Sequence, residues 1–212
     1  MIQAVLILLA YLIGSVPTAV WAGKWFYGID LRDHGSGNAG ATNAFRVLGK
    51  KTAAAVLLID MLKGMAAVAL SVMADATALS EGWFVVYRFG LGMAALLGHV
   101  FPIYAGFRGG KGIATLTGIV VMLFPSVMMI CLAVFLMAFL LTRYVSLGSI
   151  LAALTFPLAM LVMPGTPLLP ELIFALVVAV FVPLTHLKNI KRLIRGEENK
   201  ISFGGNAQNQ AG

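Results

Sequence analysis

Acidic residues are scarce in this chain, 8 Asp and Glu among 212 residues, and they form no cluster of the kind that holds Mg²⁺ for pyrophosphate chemistry. A prenyltransferase would need paired aspartate motifs and a CDP-alcohol transferase several aspartates on neighbouring helices, so both are excluded. Cysteine is almost missing. The single Cys131 lies inside an apolar run, which rules out an internal disulfide and a cysteine-ligated metal and leaves packing as its role. Charge of either sign is thin at 11%, against 60% hydrophobic residues, where a soluble domain has roughly half. The chain therefore reads as an all-α integral membrane protein. Its net charge of +7 is not laid out as a basic stripe among exposed aromatics, so nucleic acid is not an expected partner.

What is present is a series of apolar runs, and a spanning helix needs roughly 20 apolar residues. Ile2 to Phe26, Ala53 to Met73 and Phe84 to Ala105 qualify. The first has no basic stretch before it and exceeds a signal-peptide core, so it is expected to be a retained span. Ile113 to Leu141 is long enough for two short helices if the chain turns at Phe124-Pro125-Ser126, because proline breaks helices. Leu147 to Met163 and Leu172 to Leu187 follow, split by Pro164, Gly165, Pro167 and Pro170. Basic residues gather on the cytoplasmic side. Seven spans with the N-terminus outside and the C-terminus cytoplasmic put all but Arg88 and the intramembrane Lys63 of the 15 Lys and Arg there. The loop from Asp75 to Gly82 then faces outward with acids alone. Residues 1–200 are expected to form one polytopic domain and 201–212 a flexible tail.

Three polar islands interrupt the apolar pattern. The first, HGSGNAGATNAFR, runs from His34 to Arg46 and alternates glycines with small hydroxyl and amide residues. Ser36, Gly37, Asn38, Thr42 and Asn43 offer backbone and side-chain hydrogen bonds, and Arg46 adds a planar cation suited to phosphate. The second runs from Gly98 to Thr115 and contains His99 and Gly109-Gly110-Lys111-Gly112 just before a helix. Backbone N–H groups, a positive helix end and an ammonium there would cradle phosphate. It is no Walker loop: Ala105 stands at the first glycine, and Gly112 at the Mg²⁺-binding Ser or Thr. The third is the basic amphipathic stretch from Thr185 to Lys200, in which His186, Asn189 and Arg192 share one helical stripe. Asp60 and Lys63, at i and i+3 inside a span, read as a structural ion pair. The turn at Arg143, Tyr144 and Ser146 is accounted for by topology.

SGNAGATN with Arg46, then GHVFPIYAGFRGGKGIAT, then HLKNIKRLIRGEENK, in this order, resemble the bacterial acyl-phosphate:glycerol-3-phosphate acyltransferases, the PlsY family. The resemblance covers essentially the whole chain. It implies transfer of a fatty acyl group from acyl phosphate to the 1-hydroxyl of sn-glycerol 3-phosphate, giving lysophosphatidate and phosphate, the first step of phospholipid synthesis. It also implies a site on Ser36 and Arg46, a glycerol-3-phosphate loop at Gly109, Gly110, Lys111 and Gly112 preceded by His99, and His186, Asn189 and Glu198 from the third motif. Glu197 beside Glu198 leaves the motif glutamate open by one residue.

On this reading the catalytic candidates are Ser36, His99, Asn189 and Glu198, with His186 and the two loops binding substrate. Either His99 or a substrate phosphate would accept the hydroxyl proton. Ser36 is expected to orient the acyl phosphate, since no adjacent base would activate it as a nucleophile. The expected setting is a monomer in the bacterial inner membrane, facing the cytoplasm, with lipids around it and no metal or other cofactor. A transporter of phosphorylated anions would show polar islands on both faces and an internal repeat, and neither is present. A non-catalytic scaffold would leave the density of glycine and asparagine unexplained.

Overall fold

The computed structural model describes residues 1–74, 79–164 and 167–201, whose regular structure is helical, with three short 3₁₀ turns among them at Leu31–Asp33, Leu70–Met73 and Ile103–Ala105. The expected tail is described only at Ile201, and Asp75 and Gly165 also lie outside the described residues. The chain divides into two compact units, Met1–Leu123 and a second beginning at Phe124.

The first unit holds α1 (Ile2–Gly14), α2 (Thr18–Tyr27), α3 (Ala41–Val47), α4 (Lys50–Ala69), α5 (Glu81–Val100) and α6 (Ile113–Leu123). Here the structure corrects one expectation. Ile2 to Phe26 is not one helix, because α1 and α2 meet at 41° across Ser15, Val16 and Pro17. Proline disfavours helical geometry in the residue before it and has no N–H to continue the ladder, so the run breaks there. Helices cross closely where side chains vanish. A methyl on Gly64 would strike the Thr115 carbonyl and one on Gly118 the Met61 carbonyl, which sets α4 directly against α6. Small residues at crossings are how membrane helices bring backbones together without a hydrophobic drive.

The second unit holds α7 (Pro125–Thr142), α8 (Val145–Val162), α9 (Leu169–Thr185) and α10 (Leu187–Ile194). Pro125 opens α7 at a position where its missing N–H costs nothing. The expected break in the long run from Ile113 to Leu141 therefore falls at Phe124. Arg143 closes α7 in the left-handed region with φ 62°, and α8 starts two residues later as an α-hairpin. Phe124, Phe156 and Phe174 meet with ring centroids 5.8 to 6.3 Å apart and form the aromatic centre of this unit. α9 and α10 meet at 63°.

Among the described residues, four helical stretches are long and apolar enough to cross a membrane, and six if each bent pair is one span. α6, with 11 residues, is the short helix anticipated before Pro125.

Candidate active site

The first loop is built by one buried amide. Asn43, 1% exposed, accepts from the Ser36 N–H through Oδ1 (2.9 Å) and donates through Nδ2 to the carbonyls of Leu31 (3.1 Å) and His34 (3.0 Å). Its hydrogen-bonding capacity thus goes into folding residues 31–36 over the start of α3. Gly35 must be glycine: it has φ +61°, and a methyl there would overlap the Asn43 amide oxygen. Ser36 is held by its backbone, so its hydroxyl plays no part in the loop's own bonds to Asn43. Ser36, Asn38, Thr42 and Arg46 are each half-buried, whereas His34 and Gly37 are exposed.

The second loop is tied to the first by Arg32. Its Nε and Nη2 grip both oxygens of Asp30 (2.9 and 2.7 Å), while Nη1 donates to the carbonyls of Ala105 (2.7 Å) and Arg108 (3.3 Å). The Arg32 guanidinium and the Arg32 N–H, with Lys24 beyond them, hold the Asp30 carboxyl well below the usual carboxylate range. Neither Asp30 nor Arg32 belongs to the motif residues expected at the site.

The glycine-rich loop differs from expectation in its backbone. The N–H groups of Gly109 and Gly110 do not point outward, because they donate to the carbonyls of Val100 (3.1 Å) and His99 (3.2 Å) and close the loop back onto the end of α5. The donors available to an anion here are instead those of the first turn of α6, whose first helical bond runs from the Leu116 N–H to the Gly112 carbonyl. Lys111 is half-buried beside that helix start.

His99 is buried between the two loops. A methyl on Gly110 would collide with its Nε2 and with the carbonyl of Ala39, so the imidazole, the glycine-rich loop and the first loop meet at one point. On its other side Nδ1 lies 3.1 Å from the Thr115 hydroxyl and 3.8 Å from Asp60 Oδ1. Asp60 and Lys63 form the expected pair at 2.8 Å, and Thr18 also donates to Asp60 Oδ1 (3.0 Å).

The second unit carries its own polar cluster. Glu198 Oε1 accepts from Asn189 (2.6 Å) and Ser146 (2.8 Å), and Oε2 accepts from Arg192 Nε (2.7 Å). Burial pushes the Glu198 carboxyl upward, but these hydrogen bonds prevail and hold it below the usual range. Glu197 is exposed, so the buried network selects Glu198. His186 is buried at the bend between α9 and α10, where its Nδ1 donates to the Val182 carbonyl (2.8 Å). Ser146 and Arg143 gain roles that topology alone did not give them, the latter because its carbonyl receives the Ile201 N–H (3.0 Å).

Apolar helices of spanning length and two buried polar clusters, one of them beneath a pair of anion-suited loops, define an integral membrane protein equipped to handle phosphorylated molecules. The chain belongs to the glycerol-3-phosphate acyltransferase family, whose model matches residues 4–196. It is 45% identical to a glycerol-3-phosphate acyltransferase of Chlorobaculum parvum, with 94% of this chain and 96% of that one covered. A relative of the same name from Streptococcus equi subsp. zooepidemicus is 42% identical over 97% and 95% of the two chains. Two crystal structures of PlsY, an integral membrane glycerol 3-phosphate acyltransferase, superpose with TM-scores of 0.82 for its glycerol 3-phosphate form and 0.81 for its lysophosphatidic acid form. Each is 36% identical to this chain and covers 95% of it.

Proposed function

We propose that this chain transfers a fatty acyl group from acyl phosphate to the 1-hydroxyl of glycerol 3-phosphate at the cytoplasmic face of the bacterial inner membrane. The observation that carries the proposal is the meeting of Ala39, His99 and Gly110, which brings the first loop and the glycine-rich loop side by side. Two loops suited to phosphate, set against each other, are what a reaction between two phosphorylated substrates requires. Lys111 and the first-turn N–H groups of α6 take the phosphate of glycerol 3-phosphate. Ser36 and Arg46 take the acyl phosphate, whose chain lies among the membrane lipids. Asn38 and Thr42 complete that loop.

The chemistry balances without an enzyme base. The 1-hydroxyl oxygen bonds to the acyl carbon, the bond from that carbon to the phosphate oxygen breaks, and the departing phosphate takes the hydroxyl proton and leaves as hydrogen phosphate. An acyl phosphate is already activated, so placing the two reactants supplies much of the acceleration. His99 is packed on both sides and better suited to hold the loops than to receive a proton. In the second unit, Glu198 fixes Asn189 and Arg192, and His186 lines the bend beside them. The seven-span, N-outside arrangement, a single polytopic domain and a monomer are part of the same proposal.

The test is to supply purified protein with glycerol 3-phosphate and, separately, acyl phosphate, acyl-CoA or acyl-carrier protein. Lysophosphatidate formed from acyl phosphate is the expected result. Product from either thioester alone would overturn the donor assignment.

A further inference from the structure

Two charged groups, Asp60 and Lys63, are buried in α4 at 1% and 6% exposure, inside a stretch of spanning length. Charged side chains within a membrane are costly and are found paired or at functional positions. A buried ion pair seldom repays that cost over apolar packing, so its usefulness lies more in the geometry it fixes than in net stability. The partners of this pair are informative. Lys63 Nζ donates to the carbonyl of Val16 (2.9 Å), one of the backbone groups released where α1 breaks from α2. The ammonium thus bridges the break and Asp60, as a tethered cation would. Asp60 Oδ1 in turn takes Thr18 at the start of α2 and faces His99 Nδ1, while Oδ2 is buried with no hydrogen-bond partner in the protein. Three groups thus converge on one carboxylate oxygen, and one of them, His99, belongs to the junction of the two loops.

The line of contacts continues upward. Lys63 is held by Val16, Asp60 by Lys63 and Thr18, and His99 by Thr115, with Asp60 Oδ1 packed 3.8 Å from the same imidazole nitrogen, while His99 Nε2 abuts Gly110 beside the Ala39 carbonyl. We propose that Asp60 and Lys63 are positioning residues that act through His99 to set the separation of the first loop and the glycine-rich loop, and with it the affinity for glycerol 3-phosphate. This rests on the assignment of the two loops to the two phosphates given above. Neither residue touches substrate; the effect passes through the imidazole.

A double-mutant cycle tests it, with each protein reconstituted at full length and product measured at varied glycerol 3-phosphate. Asp60→Asn should raise the KM for glycerol 3-phosphate about tenfold with kcat within about twofold, and should add nothing further in a His99→Gln background. Equal factors in both backgrounds, or an unchanged KM, would overturn the proposal, since a merely structural residue would act independently of His99. If Asp60→Asn does not accumulate in membranes, Lys63→Arg, which keeps the charge but puts a larger planar guanidinium where the compact ammonium bridges Val16 and Asp60, carries the same cycle. A second readout needs no turnover: the rise in unfolding temperature caused by inorganic phosphate should be lost in Asp60→Asn and kept in wild type. If wild type shows that rise, Asp60→Asn lacks it and neither transfers an acyl group, the acyltransfer reading fails while the control of phosphate binding by Asp60 stands. If the phosphate response is the same in both proteins, this inference fails.

Discussion

The two polar clusters use a buried carboxylate in opposite ways. Glu198 in the second unit has both oxygens bonded, by a hydroxyl, an amide and a guanidinium. Asp60 in the first unit gathers its donors on one oxygen and leaves the other without a protein partner. Around Glu198 the hydrogen bonding is complete, and its purpose is to hold Asn189, Arg192 and the chain beyond α10. Around the first loop the buried Asn43 and the half-buried Arg32 hold backbone, and on the proposed function Ser36, Arg46 and Lys111 are the groups that meet ligand. One cluster locks, and the other presents.

The sharpest way to break that contrast is Ser36→Ala. The loop is tied by the Ser36 N–H and not by its hydroxyl, so the fold should survive. Activity should fall by about a hundredfold or more in kcat/KM, a loss of the size seen when a donor aimed at developing charge is removed. Unfolding temperature should be unchanged. A variant that lost both together would mean that Ser36 belongs with the locking groups.

Gly110→Ala comes next. Its methyl would enter the space held by His99 Nε2 and the Ala39 carbonyl, so the loops must part. Overpacking of this kind costs about 1–3 kcal/mol, and the KM for glycerol 3-phosphate should rise about tenfold or more. Steady-state kinetics at saturating acyl phosphate check it, and an unchanged KM would separate the junction of the loops from substrate binding.

Much of this was legible from sequence because polar residues in a greasy chain stand out. The three islands, the break before Pro125 and the short α6 could all be located from composition, proline and helix length. The break at Ser15–Pro17 was equally written in Pro17, but the apolar run around it hid the signal. What could not be read was where each island spends its hydrogen bonds. The N–H groups of Gly109 and Gly110 are consumed by the α5 carbonyls of Val100 and His99, and Asn43 is consumed by its own loop. Arg32 and Ser146 looked like topology markers, because their partners at Ala105, Arg108 and Glu198 lie 52 to 76 residues away.

Glu198→Gln probes the locking side. Gln keeps the acceptor for Ser146 and Asn189 but turns an amide toward Arg192, setting donor against donor. The expected cost is about 1–3 kcal/mol of stability with a several-fold loss of activity. Its pH signature has a definite sign. The Glu198 carboxyl lies below its ordinary value of 4.5 in the folded chain, so its contribution is fully present above 4.5 and is lost as pH falls through the lower folded value. A plot of unfolding temperature against pH should therefore show wild type losing its advantage over Glu198→Gln below pH 4.5. Parallel curves would remove the charge from the lock.

The smallest effect is expected one residue away. Glu197 is exposed, and its N–H, not its carboxylate, is anchored, to the Arg192 carbonyl at 2.8 Å. Glu197→Gln leaves that bond intact and changes a solvated charge, which ordinarily moves stability by no more than about 0.5 kcal/mol. Activity should stay within about twofold of wild type. Because the two glutamates are adjacent and chemically identical, the pair isolates position from residue type. If the Glu197 variant proved the more damaging, the lock would be assigned to the wrong carboxylate, and the closed hydrogen bonding around Glu198 could no longer explain how Asn189 and Arg192 are held.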